Sequence, residues 1–421
     1  LILDLFAGPG GWSHALTVLG ARDVGLEWDE WACKTRAAAG QLTIRTDVAR
    51  YPVWPFAGKA TGLICSPPCQ AWSAAGRRLG LVDQPLVHQA VADLAAGLDT
   101  RAELLASCRD TRSLLAAEPM RYLHALHQHG EPEWVVMEEV PDVLPLWRQY
   151  AAILRAWGYS AWAGILNAAD YGVPQTRRRA ILLASRSHAA EPPHAQHGKP
   201  ESLFGPGRAP WVSMAQALGW GATDRPVPTV CAGGGPGGGP EPFPSGSRKA
   251  LVDTRNSGRW HPQPDFEESV LEPHQRGAGW TAHHGSRAAT PAVTPAPTLT
   301  GKAGQWKWVL RSNNQANATV RRADEPAGTL FFGHRANECV WVAEPAPAGP
   351  IQTPAAAPQA VRITAQEAGL LQTLPADYPW AGNKGQRFCQ IGNAVPPRLA
   401  AHLLAPHLRV PLDPDDFTLA A

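Results

Sequence analysis

The sequence predicts an α/β fold: a parallel sheet covered by helices on both faces, followed by a β-rich second module. Two observations predict it. From residue 1 to about 187, short apolar runs alternate with helix-like stretches, the pattern of strands joined by helical crossovers. From about 188 to 360 the texture shifts to Pro/Gly punctuation, scattered tryptophans and short β-branched runs. The chain has 421 residues, and at about 150 residues per domain that length accommodates two or three.

The elements follow in order. "LILDLFAG" reads as a strand entering a glycine loop, "WSHALTVLG" as the first helix, "DVGLEW" as the second strand and "DEWACKTRAAAG" as the second helix. A third strand-like stretch ends at Asp47, and "TGLICS", "EWVVMEEV" and "RRAILLAS" supply the remaining buried strands. Residues 77–130 read as mostly helical ("LVHQAVADLAAGL", "MRYLHALHQHG"), the first part being an insertion. In the second module a weak repeat, "PVPTV", "PAPTL" and "PAGTL" at 226, 295 and 326, sets a proline turn before each strand start. The glycine run at 233 to 239 reads as a loop. Beyond residue 361 helical periodicity returns, with Thr364 and Glu367 spaced as a capping box.

Composition narrows the class. A net charge of +2 selects neither nucleic acid nor membrane. The seven cysteines are scattered, with no CxxC pair and no Cys/His cluster at zinc spacing, so a reduced, cytosolic chain without structural metal is expected. No apolar stretch approaches the ~18 residues of a membrane span, and no leader pattern is present. The chain opens inside a strand pattern and not on methionine, so a few preceding residues are expected.

The residues that carry chemistry fall at strand ends, where α/β sheets place their ligands. "DLFAGPGG" can let a ligand approach the backbone at a helix N-terminus; an ordinary tight turn is the alternative. Glu27, about 20 residues downstream, suits ribose hydroxyls, Trp28 an adenine face, and Asp47 an exocyclic amine. In series the three strand ends outline an adenosine site. Cys69 follows Pro67 and Pro68, which stiffen its turn; it is either a buried structural thiol or a positioned nucleophile. At "VVMEEV" the acidic pair either faces the surface or, by alternation, sends one of Glu138 and Glu139 into the pocket, where the neighbouring like charge raises a carboxyl pKa. "PQTRRR" places three arginines immediately before a strand.

In this order the pieces resemble the DNA (cytosine-5)-methyltransferases. "DLFAGPGG" is similar to that family's first motif, "SPPCQAWSAAG" to its Pro-Cys-Gln loop, "MEEV" to its Glu-Asn-Val, "PQTRRR" to its Gln-x-Arg-x-Arg and "QIGNAVPP" to its closing Gly-Asn-x-Val. "DTRSLL" and "RITAQEAGLLQTLPADY" also have counterparts. The resemblance implies a Rossmann-like, S-adenosylmethionine-dependent methyltransferase domain over 1–187. It further implies a β-rich target-recognition domain over 188–384 and a segment, 385–421, that returns to the first domain.

The activity it implies is methyl transfer to carbon 5 of cytosine in a specific duplex DNA sequence, through a covalent cysteine adduct on a flipped base. Cys69 would attack carbon 6, Glu138 would protonate the ring at nitrogen 3, and Arg179 would contact the base carbonyl, with Arg177 supporting the loop and phosphates. Phe6, Gly8, Gly10, Glu27, Trp28, Asp47, Pro68, Asn393 and Val395 match cofactor-contacting positions. Gln70, Ser73 and Gly76 match the loop that closes over the DNA. Arg255, Asn256, Arg311, Asn313, Asn314, Arg321 and Arg335 are candidate contacts of the recognition region. No metal and no membrane are implied; a cytoplasmic monomer is expected, with duplex DNA as partner and a cognate restriction endonuclease as a second.

Two departures stand out: Glu139 replaces the family's asparagine, and an insertion separates the cysteine loop from "VMEEV". Transfer of a different group to cytosine and a catalytically silent DNA-binding module are the alternative readings.

Overall fold

The computed structural model describes residues 1–72, 78–198, 208–218, 233–234, 240–241, 306–311, 320–323, 325–328, 340–345 and 360–412. Its centre is a seven-stranded sheet in the order β3-β2-β1-β4-β5-β8-β6. The strands are β1 (Ile2–Leu5), β2 (Asp23–Glu27), β3 (Leu42–Arg45), β4 (Gly62–Cys65), β5 (Trp134–Glu139), β6 (Ser160–Asn167) and β8 (Arg178–Ser185). A two-residue strand, β7 (Gln175–Thr176), lies outside it. Strands β1, β4 and β5 are buried at every position, as strands covered on both faces must be, and this is why they read as continuous apolar runs.

Alternation divides the side chains between two cores. Leu3, Leu5, Leu63, Cys65, Val135 and Met137 join one apolar cluster with α3 (Leu79–Ala95), α5 (Glu118–His127) and α6 (Leu144–Ala156). Ile2, Ile64, Trp134 and Val136 join the other, with Trp12 and Leu16 of α1 (Gly11–Val18) and with the C-terminal helix Pro397–Leu408. The helix Pro397–Leu408, the last among the described residues, therefore completes a layer over the first strand. Helix α2 (Glu30–Ala38) starts where the Asp29 side chain accepts from the Ala32 amide at 2.7 Å, an N-cap. Helix α4 (Arg101–Leu105) is tied to the body by Arg101, whose guanidinium meets Glu118 at 2.6 Å.

The sheet departs from the expectation of parallel strands at one edge. Both β5–β8 and β8–β6 pair antiparallel. The reason is the connection: β6 and β8 are joined by the short stretch 168–177, which can return a chain antiparallel, whereas a parallel return needs a crossover of a dozen or more residues. Strand β6 itself escaped the sequence reading. Its residues "SAWAGILN" are only partly buried along an edge and include Gly and Asn, which blurs the apolar signal.

Beneath the glycine loop lies a buried charge cluster. The Arg36 guanidinium donates to Asp23 at 3.1 Å and Ser13 at 2.8 Å and stands 4.0 Å from Asp4. Burial, then Asp23, holds the Asp4 carboxyl well above its ordinary value. Position 25 is glycine because a Cβ there would strike the Arg36 guanidinium. Removing Arg36 would strand these carboxylates, a change of about 3–5 kcal/mol.

In the second half, a four-stranded antiparallel sheet is formed by Val320–Arg322, Trp306–Arg311, Val340–Pro345 and Ala360–Arg362, in that order. Of the three repeat copies, the one at 326 marks a strand, Ala327–Gly328, which pairs with β7; those at 226 and 295 lie outside the described residues. The Thr364 capping box forms, Glu367 N donating to Thr364 Oγ1 at 3.1 Å and Thr364 N to Glu367 Oε2 at 2.7 Å. Among the described residues no helix is long and apolar enough to cross a membrane.

Candidate active site

The parallel strands β1, β2, β4 and β5 all end on one rim, and β8, running the other way, begins there. A cleft of about 730 Å³ opens at that rim, within the size range of small-molecule sites. It is lined by Phe6, Gly8, Glu27, Trp28, Asp47, Pro68, Cys69, Gln70, Glu138, Arg177, Arg179, Asn393 and Val395. Gly10 does not line it; Ser73 and Gly76 lie outside the described residues.

One end of the cleft is shaped by the glycine loop between β1 and α1. Phe6 and Gly8 take left-handed backbone angles, φ 60° and 55°. For phenylalanine this conformation costs on the order of 1–2 kcal/mol, and strain of this kind is typical of ligand-binding turns. Gly10, at φ 99°, caps α1, and a Cβ on it would run into the Gln41 amide. The Glu27 carboxylate accepts from the Gly8 amide at 2.7 Å and, through its other oxygen, from the Asp29 amide at 2.7 Å. Burial raises its pKa while these two amides pull it back. Trp28 beside it is 69% exposed, an indole face open at the cleft mouth. Asp47 is oriented by the Ala49 amide at 2.9 Å.

The other end is shaped by the turn after β4. Pro68 caps a short 3-10 turn, Cys69–Ala71, and Trp12 Nε1 donates to Ser66 Oγ at 2.9 Å, fastening the start of that turn to α1. Cys69 packs against the larger apolar cluster. Burial first, then Glu139, pushes its thiol up to about 12, while Arg179 and Arg177 oppose the shift. At neutral pH the thiol therefore rests protonated.

Alternation also sorts the arginines and the two glutamates. Arg177 and Arg179 are buried and Arg178 is exposed. Arg179 Nε stands 2.9 Å and Arg177 Nη2 3.6 Å from Glu138 Oε1. The antiparallel register that opposes Glu138 to Ile181 brings the start of β8 beside the end of β5. Arg177 also donates to the Gly392 carbonyl at 3.1 Å, reaching the segment that carries Asn393 and Val395.

Glu139 projects to the other face. It is 1% exposed, absent from the cleft lining, bonded through one oxygen to the Val140 amide, and unpartnered at the other. Burial, then Glu138, raises its carboxyl to about 8. The unfolded chain loses this proton near 4.5, so between about 4.5 and about 8 the folded state binds the extra proton. Stability should fall as pH rises through that window. Thermal melts from pH 5 to 8 should show a flatter pH dependence for Glu139→Gln than for the parent; equal slopes would show that Glu139 stays ionised.

The sequence reading missed part of the lining. Thr111, Arg112 and Leu115 reach the cleft from "DTRSLL", and on one face of the helix Lys384–Asn393 the expected Asn393 is joined by Gln386, Cys389 and Gln390. The i, i+3, i+4, i+7 spacing of those last four was a signal available in the sequence.

A glycine loop, an acid at the second strand end, a Pro-Cys turn and a paired Glu–Arg set thus converge on one rim. A family profile described as C-5 cytosine-specific DNA methylase matches residues 1–89 and 105–408. The chain belongs to that family. It is a DNA (cytosine-5)-methyltransferase whose methyl donor is S-adenosylmethionine. The methylase is 25% identical over 425 residues to the Type II methyltransferase M.DdeI of Desulfomicrobium norvegicum, covering 96% of this chain and 87% of that one. It is 26% identical over 412 residues to the Type II methyltransferase M.Eco47II of Escherichia coli, covering 95% and 76%. A solved Dnmt2 methyltransferase of S. pombe is similar over 97% of this chain and 98% of that one, at 13% identity and a TM-score of 0.46. The methylase's cleft suits the donor: Gly8 has open space where a Cβ would stand, and the Trp28 face is free.

Proposed function

We propose that Cys69 adds to carbon 6 of a flipped cytosine, and that Glu138 and Arg179 hold the base while carbon 5 is methylated. The observation that carries this is that one cleft is lined by Cys69, Glu138, Arg177 and Arg179 together with Phe6 and Gly8 of the glycine loop and Glu27 at the end of β2. Glu27, Trp28 and Asp47 would take the ribose and adenine of the donor, with Phe6, Gly8, Pro68, Asn393 and Val395 walling it. S-adenosylmethionine, when bound there, supplies the methyl group.

The chemistry needs these residues because carbon 5 of cytosine is a poor nucleophile. The Cys69 thiol gives its proton to water and its sulfur forms a bond to carbon 6; the electron pair of the 5,6 double bond is then available at carbon 5. Glu138 protonates nitrogen 3, which neutralises the charge developing on the ring. The Arg179 guanidinium, already beside Glu138, suits the base carbonyl, and Arg177 braces it. After methylation the proton on carbon 5 passes to water, the carbon–sulfur bond breaks to release the Cys69 thiolate, and nitrogen 3 returns its proton to Glu138, leaving neutral 5-methylcytosine. Arg177 and Arg179 also favour the thiolate that burial disfavours.

The region from 188 to 384 would read the target sequence, and 385–421 would return to the catalytic domain. The packing of Pro397–Leu408 on α1 supports the return. Phe388 and Ile391, however, share a core with Trp341 of the antiparallel sheet, so the helix Lys384–Asn393 braces both parts. The Type II relatives support a cytoplasmic enzyme paired with a restriction endonuclease.

An oligonucleotide carrying 5-fluorodeoxycytidine tests the reading, because fluorine cannot leave as a proton and the adduct is trapped. With S-adenosylmethionine present, a denaturation-resistant protein–DNA conjugate through Cys69 is expected. Its absence on a duplex that the parent methylates, as located by bisulfite sequencing of an expressing host, would overturn it.

A further inference from the structure

The glycine loop is held from a distant part of the chain. The Tyr378 hydroxyl donates to the Pro9 carbonyl at 2.6 Å, across 369 residues of sequence. Gln41 completes the clasp: its Nε2 donates to the Gly10 carbonyl at 3.3 Å and to the Tyr378 hydroxyl at 3.3 Å. The phenol is buried, its ring meeting His14 edge-on at 6.0 Å and Trp380 at 4.8 Å. Tyr378 does not line the cleft, whereas Pro9 does.

We propose that Tyr378 is a positioning residue for cofactor binding: its hydroxyl fixes the Pro9 carbonyl so that the Phe6–Gly10 turn is preset in its binding shape. The proposal rests on the reading of that turn as the cofactor site. Phe6, Gly8 and Gly10 all take left-handed angles, and such a turn persists only when its surroundings over-determine it. Within the turn, Gly10 N bonds to Ala7 O at 3.2 Å and Ala7 N to Leu26 O at 3.1 Å. The Pro9 and Gly10 carbonyls are taken up by Tyr378 and Gln41. A loop ordered before the ligand arrives binds it without having to be ordered by it. Tyr378 lies near the end of the region, 188–384, that would read the target, so the same clasp ties that half of the chain to the cofactor pocket.

The test is Tyr378→Phe, which keeps the ring contacts and deletes the bond. S-adenosylmethionine affinity by calorimetry should weaken about tenfold, a 1.4 kcal/mol change, while kcat at saturating cofactor stays within about twofold. Gln41→Met should weaken affinity in the same direction, and the double variant should fall short of the product of the two because both act on one loop. Tyr159→Phe is the control: it deletes a comparable bond, from the phenol to the Pro132 carbonyl at 2.6 Å, in a residue that does not line the cleft. Its affinity should not move. An unchanged affinity for Tyr378→Phe, or an equal loss in Tyr159→Phe, overturns the inference. Failure of the parent itself to bind S-adenosylmethionine would instead overturn the cofactor-site reading.

Discussion

Cys69→Ala should abolish DNA methylation, a loss on the order of 10⁴-fold or more in turnover, with S-adenosylmethionine affinity within about twofold of the parent. The two outcomes separate because the thiol follows β4, on the other side of β1 from the β2 end that carries Glu27 and Trp28. The substitution keeps the Cβ and removes one sulfur from the margin of an apolar cluster, so the turn held by Pro67 and Pro68 should survive. Gel analysis with 5-fluorodeoxycytidine DNA should show no conjugate, and calorimetry should show the cofactor bound. Loss of cofactor binding in a folded variant would mean that the thiol contributes to the cofactor site; retained methylation would remove it from the chemistry.

The second large effect belongs to the glutamate facing the arginines. Glu138→Gln should slow turnover by about 10²- to 10⁴-fold, the usual contribution of a general acid, while Glu139→Gln should change it by less than about tenfold. Both carboxyls are buried, so burial does not distinguish them; direction does. Glu138 lines the cleft within 2.9 Å of Arg179, and Glu139 bonds to its neighbour's amide on the other face. Single-turnover rates at saturating DNA and cofactor decide between them. A larger loss from Glu139 would mean that it, and not its neighbour, serves the ring. The same pair of variants also separates catalysis from stability, since Glu139→Gln should flatten the pH dependence of melting without a comparable loss of rate.

Much of this was written locally. The apolar runs around Leu3, Leu63 and Val135 announce buried parallel strands because both their faces are covered, and a ligand rim at their ends follows from that arrangement alone. The prolines before Cys69 stiffen its turn through covalent geometry, and Thr364 and Glu367 cap a helix by short-range hydrogen bonds. Alternation restricts the pocket to one of two adjacent glutamates. These features depend on neighbours within a few residues, so a linear text carries them.

What the text alone did not carry depends on partners far apart in it. The antiparallel turn of β8, which sets Arg177 and Arg179 beside Glu138, is a matter of pairing register. The face of Lys384–Asn393 that enters the cleft is chosen by the apolar core on its other side, where Phe388 and Ile391 pack. The resemblance pointed to Glu138; the fold shows its neighbour to be a buried carboxyl with one oxygen unpartnered. The clasp of Tyr378 on Pro9 has no local signature, because a phenol and a carbonyl 369 residues apart become partners only after the sheet and its covering segments have closed around them. Short-range sterics and periodicity determined the strands, the turns and the candidate residues; the orientation of charges in the cleft was decided by packing, which alone determines which buried groups meet.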